Sequence, residues 1–339
     1  MSKVAVVILN YNGKDFLAKF LPDVIRHTGN AAEIVVADNA SKDDSVAFMK
    51  SEFPGIRLIQ NNTNSGFSTG YNLALRQIEA DYYVLLNSDI EVTQGWIEPV
   101  ISLMESDHSI AACQPKILAY HDRTKFEYAG AGGGFIDRFG YPFCRGRLFQ
   151  SIETDEGQYD DIMEVFWASG ACMFVRADLY HQYDGLEDEF FAHMEEIDFC
   201  WRLKNKGYKV MYCGQSTVYH IGGGTLPKIS SRKTYLNFRN NLSLLYKNLP
   251  DQSLYYIIIL RLILDGVASF KFLVEGGFAD SIAVMRAHFH FYRKIPNLRS
   301  KRKKLKPNEV TKVYQKNIAL NHFIGGVMLF KDLEEEHFS

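Results

Sequence analysis

Residues Tyr83-Val84-Leu85-Leu86-Asn87-Ser88-Asp89 run without interruption from an apolar stretch into a polar Asn-x-Asp. An apolar run bounded in this way suits a strand covered on both faces, the condition of a strand inside a parallel α/β sheet. Ligands of such sheets bind beyond the carboxyl ends of the strands. An aspartate at that edge is placed to hold a divalent cation against phosphates. Magnesium-type sites need only one or two carboxylates and leave the other positions to phosphate oxygens and water. A strand also ends in Asp wherever the next helix needs a cap, so the surrounding segments decide its meaning.

Those segments alternate. Val4–Leu9 is strand-like and meets the turn signal Asn10-Tyr11-Asn12-Gly13, followed by a helical pattern over Phe16–Ile25. Glu33–Ala37 predicts a second strand that ends in Asp38, and Ile56–Gln60 a third. A polar stretch, Asn61–Gly70, and a helical pattern over Asn72–Ile78 lead to a fourth strand at Tyr82–Leu86. This βαβα rhythm predicts an α/β fold with a mostly parallel central sheet and helices on both faces. From Ile117 the rhythm breaks up. Gly130-Ala131-Gly132-Gly133-Gly134 predicts mobile turns or a substrate lid, and it lacks the GxGxxG spacing of a dinucleotide loop. Val165–Val175 reads as one further buried strand. Phe190–Tyr208 passes from aromatics and acids into a helix that is basic at Arg202, Lys204 and Lys206 and stops at Gly207.

At 339 residues and 47% hydrophobic content, the chain can form one large domain with an appendage. A net charge of −2 gives no global field that points to nucleic acid. The five cysteines are odd in number, widely spaced and without a CxxC pair, which predicts reduced thiols in a cytosolic setting. The opening VAVVIL is too short for a signal peptide and reads as the first strand.

The composition shifts after Gly224. Residues 254–275 are strongly apolar but carry Arg261, Asp265, Lys271 and Glu275 on an arc of about 120°. A bilayer span needs about 20 nearly uncharged residues, so this helix is expected to lie in a membrane interface or to pack on the domain. Residues 286–306 carry nine Lys/Arg and no acid, which suits an anionic membrane surface. A solvated charge run beside a core helix would look the same.

Together the segments VVILNYNG, VVADNASKDDS, NNTNSGFSTGYN, LLNSD and FFAHMEEIDFCWRLKNKGYKV resemble glycosyltransferase family 2, the inverting enzymes of the GT-A fold. The resemblance covers about residues 3–225. It implies a GT-A domain over 1–225, with 1–115 as the nucleotide-binding half and 116–225 as the acceptor-binding half, followed by a helical C-terminal region over 226–339. It implies donor-nucleotide contacts from Asn10, Tyr11, Asn12, Asp38, Asn64, Gly66, Asn72 and Asn87, with Asp38 at the pyrimidine. Asp89 matches the metal-binding Asp-x-Asp position, and His220, 24 residues beyond Glu196, matches a further metal ligand, for Mn²⁺ or Mg²⁺. Gly222-Gly223-Gly224 beside it suggest flexibility. Glu196 matches the catalytic base, with Glu195 as alternative and Asp198 close by. Trp167, Ser169, Gly170 and Arg202 fall on the acceptor side, and Arg202 is also placed to brace the acids.

The expected function is inverting sugar transfer from a UDP- or dTDP-sugar to a hydroxyl of a glycan or lipid-linked acceptor. The nearest sub-type is a rhamnosyltransferase of bacterial cell-surface polysaccharide assembly. The expected location is cytoplasmic, peripheral at the inner face of the membrane. Two other readings stay open, a nucleotidyltransferase and a non-catalytic nucleotide-sugar-binding scaffold. A nucleotidyltransferase would show a basic Gly-rich loop after the first strand, which NYNGKDF does not match.

Overall fold

The computed structural model describes residues 2–222 and 230–339. Gly223 and Gly224 of the glycine run lie outside them. The first half is a Rossmann-like alternation: β1 (Val4–Asn10), α1 (Lys14–Thr28), β2 (Glu33–Asp38), α2 (Ser45–Glu52), β3 (Arg57–Gln60), α3 (Gly66–Leu75) and β4 (Tyr82–Asn87). A short β5 (Ile90–Val92), α4 (Glu98–Ser106) and the long β6 (Ile110–Ala119) follow. Next come β7 (Gly134–Asp137), β8 (Pro142–Cys144), β9 (Arg147–Leu148), β10 (Ser151–Ile152), β11 (Ile162–Val165), β12 (Cys172–Arg176), α5 (Ala177–Gln182), α6 (Glu195–Lys204) and β13 (Lys209–His220). The C-terminal region holds α7 (Ser231–Asn248), α8 (Asp251–Val274), α9 (Phe278–Leu305), β14 (Val313–Tyr314) and α10 (Ile318–Phe323).

The main sheet runs β11-β13-β6-β12-β4-β1-β2-β3, with β5 paired to β13. It is parallel through β3-β2-β1-β4 and mixed beyond, where β12 is antiparallel to both β4 and β6. Alternate residues of β1 feed separate cores. Ala5 and Val7 pack with Tyr71 and Leu75 of α3 on one face. Val4, Val6 and Ile8 pack with Leu17 and Leu21 of α1 on the other. Burial on both faces explains why β1 and β4 are continuous apolar runs.

A second sheet, β10-β9-β8-β7-β14, lies beside the first. Its last strand comes from the C-terminal region, and Phe330 and Phe338 of the tail pack tilted or edge-on against Phe135 and Phe143. The long helices of this stretch thus end at Leu305, and its tail returns through β14 to complete this sheet before the short α10.

Three expected elements differ. Val165–Val175 is two strands, β11 and β12, separated by a buried corner at residues 166–171. The strand before His220, which the sequence reads as a short strand over Lys209–Cys213 and then a loop, is a single long one with an irregularity between Cys213 and Thr217. The glycine run at 130–134 is buried, neither lid nor exposed turn. Trp167 lies flat against Gly134, where a Cβ would sit 2.1 Å from the indole. The five cysteines are free and buried. Among the described residues no helix is long and apolar enough to cross a membrane.

Candidate active site

Sheet register builds the first part of the site. Asn10 pairs with Asp38 across β1 and β2, and Leu9 pairs with Asn87 across β1 and β4. The polar ends of three strands therefore stand in one row, at the point where the chain leaves β1 to both sides. Asn10 Nδ2 donates to Asp38 Oδ1 (3.0 Å) and to Ser41 Oγ (3.2 Å), and the Ser41 N–H donates to Asp38 Oδ2 (2.9 Å). These bonds fix the Asp38 carboxylate. Asn10 Oδ1 is buried without a partner, an acceptor left free in the row. Asn12 takes a left-handed φ of 52° and accepts the Lys42 N–H at 2.7 Å, which holds the turn against β2.

Asp89 follows β4 and is almost fully buried. Its Oδ1 lies 3.2 Å from His220 Nε2, at the end of β13. On the other side of the ring, Glu127 Oε2 lies 3.3 Å from Nδ1, off the line of a well-formed hydrogen bond. Burial opposes a charged imidazole, yet the carboxylates of Asp89 and Glu127 hold it up to about 10. Asp89 is conversely held below its ordinary value, because the hydrogen bond and charge of His220 outweigh burial. A buried cation thus stands between two acids. The 3.2 Å gap between Oδ1 and Nε2 matches the spacing of two adjacent ligand atoms on an ion with bonds of about 2.1–2.2 Å. A carboxylate behind the second ring nitrogen is the usual support of a metal-binding histidine. The residues present fit a divalent cation. Glu127 carried no signal in the sequence, where FEYAG looks like ordinary loop.

The second part stands on α6. Glu195 and Glu196 open this helix, and each has its Oε2 buried without a partner. Burial, then the neighbouring Glu196 and Asp198, push Glu195 well above the ordinary carboxyl range. Burial pushes Glu196 up to about 7 against the helix N–H groups of residues 196 and 197. Glu196 is the more exposed of the two and borders Gly170, where a Cβ would lie 3.8 Å from its own Cβ. Ala171 O in turn accepts the Asn87 N–H at 2.9 Å. The Gly170-Ala171 corner therefore touches both the Asp89 end of β4 and the start of α6.

The segment before α6 is strained. Phe191, His193 and Met194 have φ of 67°, 71° and 74°, each costing about 1–3 kcal/mol for a residue with a side chain. Asn240 of α7, fully buried, donates from its single amide to the carbonyls of Phe190 (3.0 Å), Ala192 (2.9 Å) and His193 (2.8 Å). Arg239 donates to the carbonyls of Glu189 and Phe190, both at 2.9 Å. From the other side, the Phe67 N–H donates to Phe191 O at 2.6 Å. Gly66 has φ +90°, and a Cβ there would collide with Phe191 at 2.5 Å. The C-terminal region is thus part of the site, a role the sequence did not suggest for Asn240.

Several expected residues lie elsewhere. Asp198 does not join the glutamates. It is fully buried and held by Arg202 (2.8 Å), Lys247 (3.0 Å) and Asn248 (2.9 Å), an ion network that ties α6 to α7. Arg202 braces Asp198 and the carbonyls of Tyr183 and Gly185 and does not line an acceptor face. Asn72 clasps Leu186, Asp188 and Tyr180 and does not face a nucleotide. Trp167 turns into the second sheet, where Nε1 donates to Phe135 O at 2.9 Å. Ser169 is buried, its Oγ on Ala129 O at 2.7 Å. Asn64 caps the turn into α3 by accepting the Gly66 N–H at 3.0 Å. Tyr11 is half-buried and Asn12 exposed beside the row.

The family model described as Glycosyl transferase family 2 matches residues 5–183. The chain belongs to glycosyltransferase family 2. The match spans the row and the Asp89 turn, and it ends before the two glutamates. Among curated relatives, a low-salt glycan biosynthesis hexosyltransferase, Agl10 of Haloferax volcanii, is 24% identical over 249 residues, 71% of this chain and 74% of its own. The N-acetylglucosaminyl-diphospho-decaprenol L-rhamnosyltransferase of Mycobacterium tuberculosis is 24% identical over 63% of this chain and 75% of its own. The rhamnosyltransferase WbbL of Escherichia coli K12 is 24% identical over 62% and 80%. Among solved structures, S. aureus TarS 1–349 in complex with UDP-GlcNAc superposes with a TM-score of 0.57 at 14% identity, over 90% of this chain and 86% of that one. GalNAc-T7 with UDP, GalNAc and Mn²⁺ also gives 0.57, at 15% identity, over 74% of this chain and about half (49%) of that one. The fold is GT-A, and the protein is a glycosyltransferase.

Proposed function

We propose that this glycosyltransferase moves a sugar, with inversion, from a UDP- or dTDP-sugar to a hydroxyl of a glycan or lipid-linked acceptor in cell-surface polysaccharide synthesis. The observation that carries the reading is the Asp89–His220 pair, backed by Glu127, at the end of the same sheet edge that presents Asn10, Asp38 and Asn87. Asp38, clamped by Asn10 and Ser41, accepts the imide N–H of a uracil or thymine ring. Asn87 faces the ribose or sugar. Asp89 and His220 would hold Mn²⁺ or Mg²⁺, which when bound neutralises charge that develops on the departing diphosphate. Neighbouring structures crystallised with Mn²⁺, GalNAc-T7 with UDP and a Pyrobaculum mannosyltransferase with GDP-Man, support divalent-metal use and a nucleotide-sugar donor.

Inversion needs a base on the acceptor side. Glu196 is our assignment. A carboxyl held near 7 is largely ionised at physiological pH and basic enough to take the acceptor's proton as the bond to the sugar forms. Glu195 is the more deeply buried, and burial with the neighbouring Glu196 charge favours its neutral form, which keeps a second negative charge out of the pair. We place the enzyme at the inner face of the membrane as a peripheral protein, because α8 turns its apolar side outward.

A thermal-shift screen of UDP-, dTDP- and GDP-sugars with and without Mn²⁺ tests this reading. A ligand selective for the folded state raises the melting temperature, by about 2.7 kcal/mol of added stability at 100 times Kd. A shift with UDP or dTDP that needs Mn²⁺ and is lost in Asp89→Asn is expected. A metal-independent shift, or a GDP-sugar as the sole ligand, overturns the assignment.

A further inference from the structure

The apolar helix α8 is built inside out. Its Arg261 and Asp265 point inward, buried at 3.1 Å from each other, with His288 on the same carboxylate at 3.2 Å. Its outward stripe is Tyr255, Ile259, Ile263, Val267, Phe270 and Val274, exposed by 58–71%. At 100° per residue these fall within an arc of about 120°. Charges buried beneath an exposed apolar stripe reverse the arrangement of a helix that faces water.

Beside it, α9 and α7 enclose an open groove of about 900 Å³. Along α9 the groove wall is graded. Ile282, Met285, Phe289 and Pro296 form one edge, and Arg286, His290, Arg293 and Lys294 the other, about 100° further round. Tyr235 of α7 forms the floor and hydrogen-bonds His290. Arg286 and Arg293 are exposed and have no acidic partner among the described residues. Lys294 reaches Glu189 at 3.3 Å, and Asn297 reaches the same carboxylate at 2.6 Å. Glu189 lies two residues before Phe191, where the strained segment that leads into α6 begins. The groove is thus tied through Glu189 to the chain segment that precedes α6.

We propose that this groove binds the phosphate or diphosphate of a membrane lipid, with Arg286 and Arg293 on the anion and Met285, Phe289 and the α8 stripe against the hydrocarbon. Unpaired arginines suit a phosphate group, since the guanidinium offers paired donors to its oxygens. An anion alone would leave the apolar edge unexplained, and an uncharged hydrocarbon would leave the arginines unexplained. The inference rests on the glycosyltransferase reading only in naming this lipid as the acceptor's carrier, a phosphorylated long-chain alcohol bearing the sugar to be extended.

The test measures binding of farnesyl diphosphate, inorganic pyrophosphate and farnesol to the full chain, with flotation on phosphatidylcholine vesicles with and without phosphatidic acid. Farnesyl diphosphate is expected to bind at least about tenfold more tightly than either fragment, and flotation to need the anionic lipid. Arg286→Ala/Arg293→Ala should weaken farnesyl diphosphate binding about 25-fold, about fivefold for each cation. Met285→Ser/Phe289→Ser should weaken it while leaving pyrophosphate unchanged. These side chains are exposed, so melting temperatures should match the parent chain. Equal binding of pyrophosphate and farnesyl diphosphate, an unaffected double-arginine variant, or burial of this face in a stable dimer by light scattering each overturns the proposal. Loss of the Mn²⁺-dependent nucleotide shift would instead refute the donor reading and leave these lipid measurements standing.

Discussion

Replacing Glu196 by glutamine separates catalysis from stability at one atom. The carboxyl is raised from its ordinary 4.5 to about 7 by burial, so the folded protein binds its proton more tightly than the unfolded chain does. Below about pH 4.5 both states are protonated and the group makes no difference. Between 4.5 and 7 the unfolded chain ionises while the folded carboxyl keeps its proton, so the folded state loses stability as pH rises, and above 7 it bears the full cost of a buried charge. The elevation corresponds to about 3 kcal/mol when taken in full, and to about 1–2 kcal/mol once partial access to water is allowed for. Glutamine stands in for the neutral acid. Glu196→Gln should therefore melt about 1–3 °C higher than the parent at pH 8, with the difference vanishing towards pH 4.5. The same variant should keep donor affinity and lose sugar transfer, while parent kcat/KM rises with pH through about 7. Calorimetry at pH 4.5, 6 and 8, with a transfer assay alongside, measures both effects. A pH-independent melting difference, or transfer that survives in Glu196→Gln and disappears in Glu195→Gln, refutes the assignment of the base.

Two further substitutions probe what holds the site. Asn240→Ala removes the donor shared by three carbonyls, a loss of about 2–4 kcal/mol. It lets the left-handed segment before Glu196 relax, so kcat should fall about 100-fold. Donor affinity with Mn²⁺ should change less than about twofold, and a parallel loss of donor affinity would show that the clamp serves the fold as a whole. Glu127→Gln should weaken Mn²⁺ binding about 10- to 100-fold by titration while sparing metal-free nucleotide affinity, and unchanged Mn²⁺ binding would remove Glu127 from the site.

Much of the donor half could be read from the chain. Continuous apolar runs at Val4–Leu9 and Tyr83–Leu86 mean burial on two faces, and polar residues directly after them must then stand at the strand ends. Strand periodicity and turn chemistry are local, so Asn10, Asp38, Asn87 and Asp89 could be placed before any contact was known. The resemblance to the family, through the 24 residues that separate His220 from Glu196, likewise implied a histidine that β13 delivers to Asp89. The acceptor half was less legible. Asp198 stood beside Glu195 and Glu196 in the sequence as one of three acids, and a helix turns side chains 100° apart per residue. That rotation sends Asp198 towards Lys247 and Asn248 of α7. Asn72 and Trp167 were likewise diverted by partners 114 and 32 residues away along the chain, and Arg202 by backbone carbonyls of a neighbouring loop.

The sequence by itself determined the alternation of elements, the polar tips of β1, β2 and β4 and the amphipathic arc of α8, because each depends on neighbours a few positions apart. Only the tertiary structure decided that Glu127 backs His220, that Asn240 holds the segment before the base, and that α8 buries Arg261 and Asp265 while its apolar stripe faces out. Those outcomes depend on which distant surfaces meet. A periodic pattern specifies that a face will be covered, and packing of the whole chain selects what covers it.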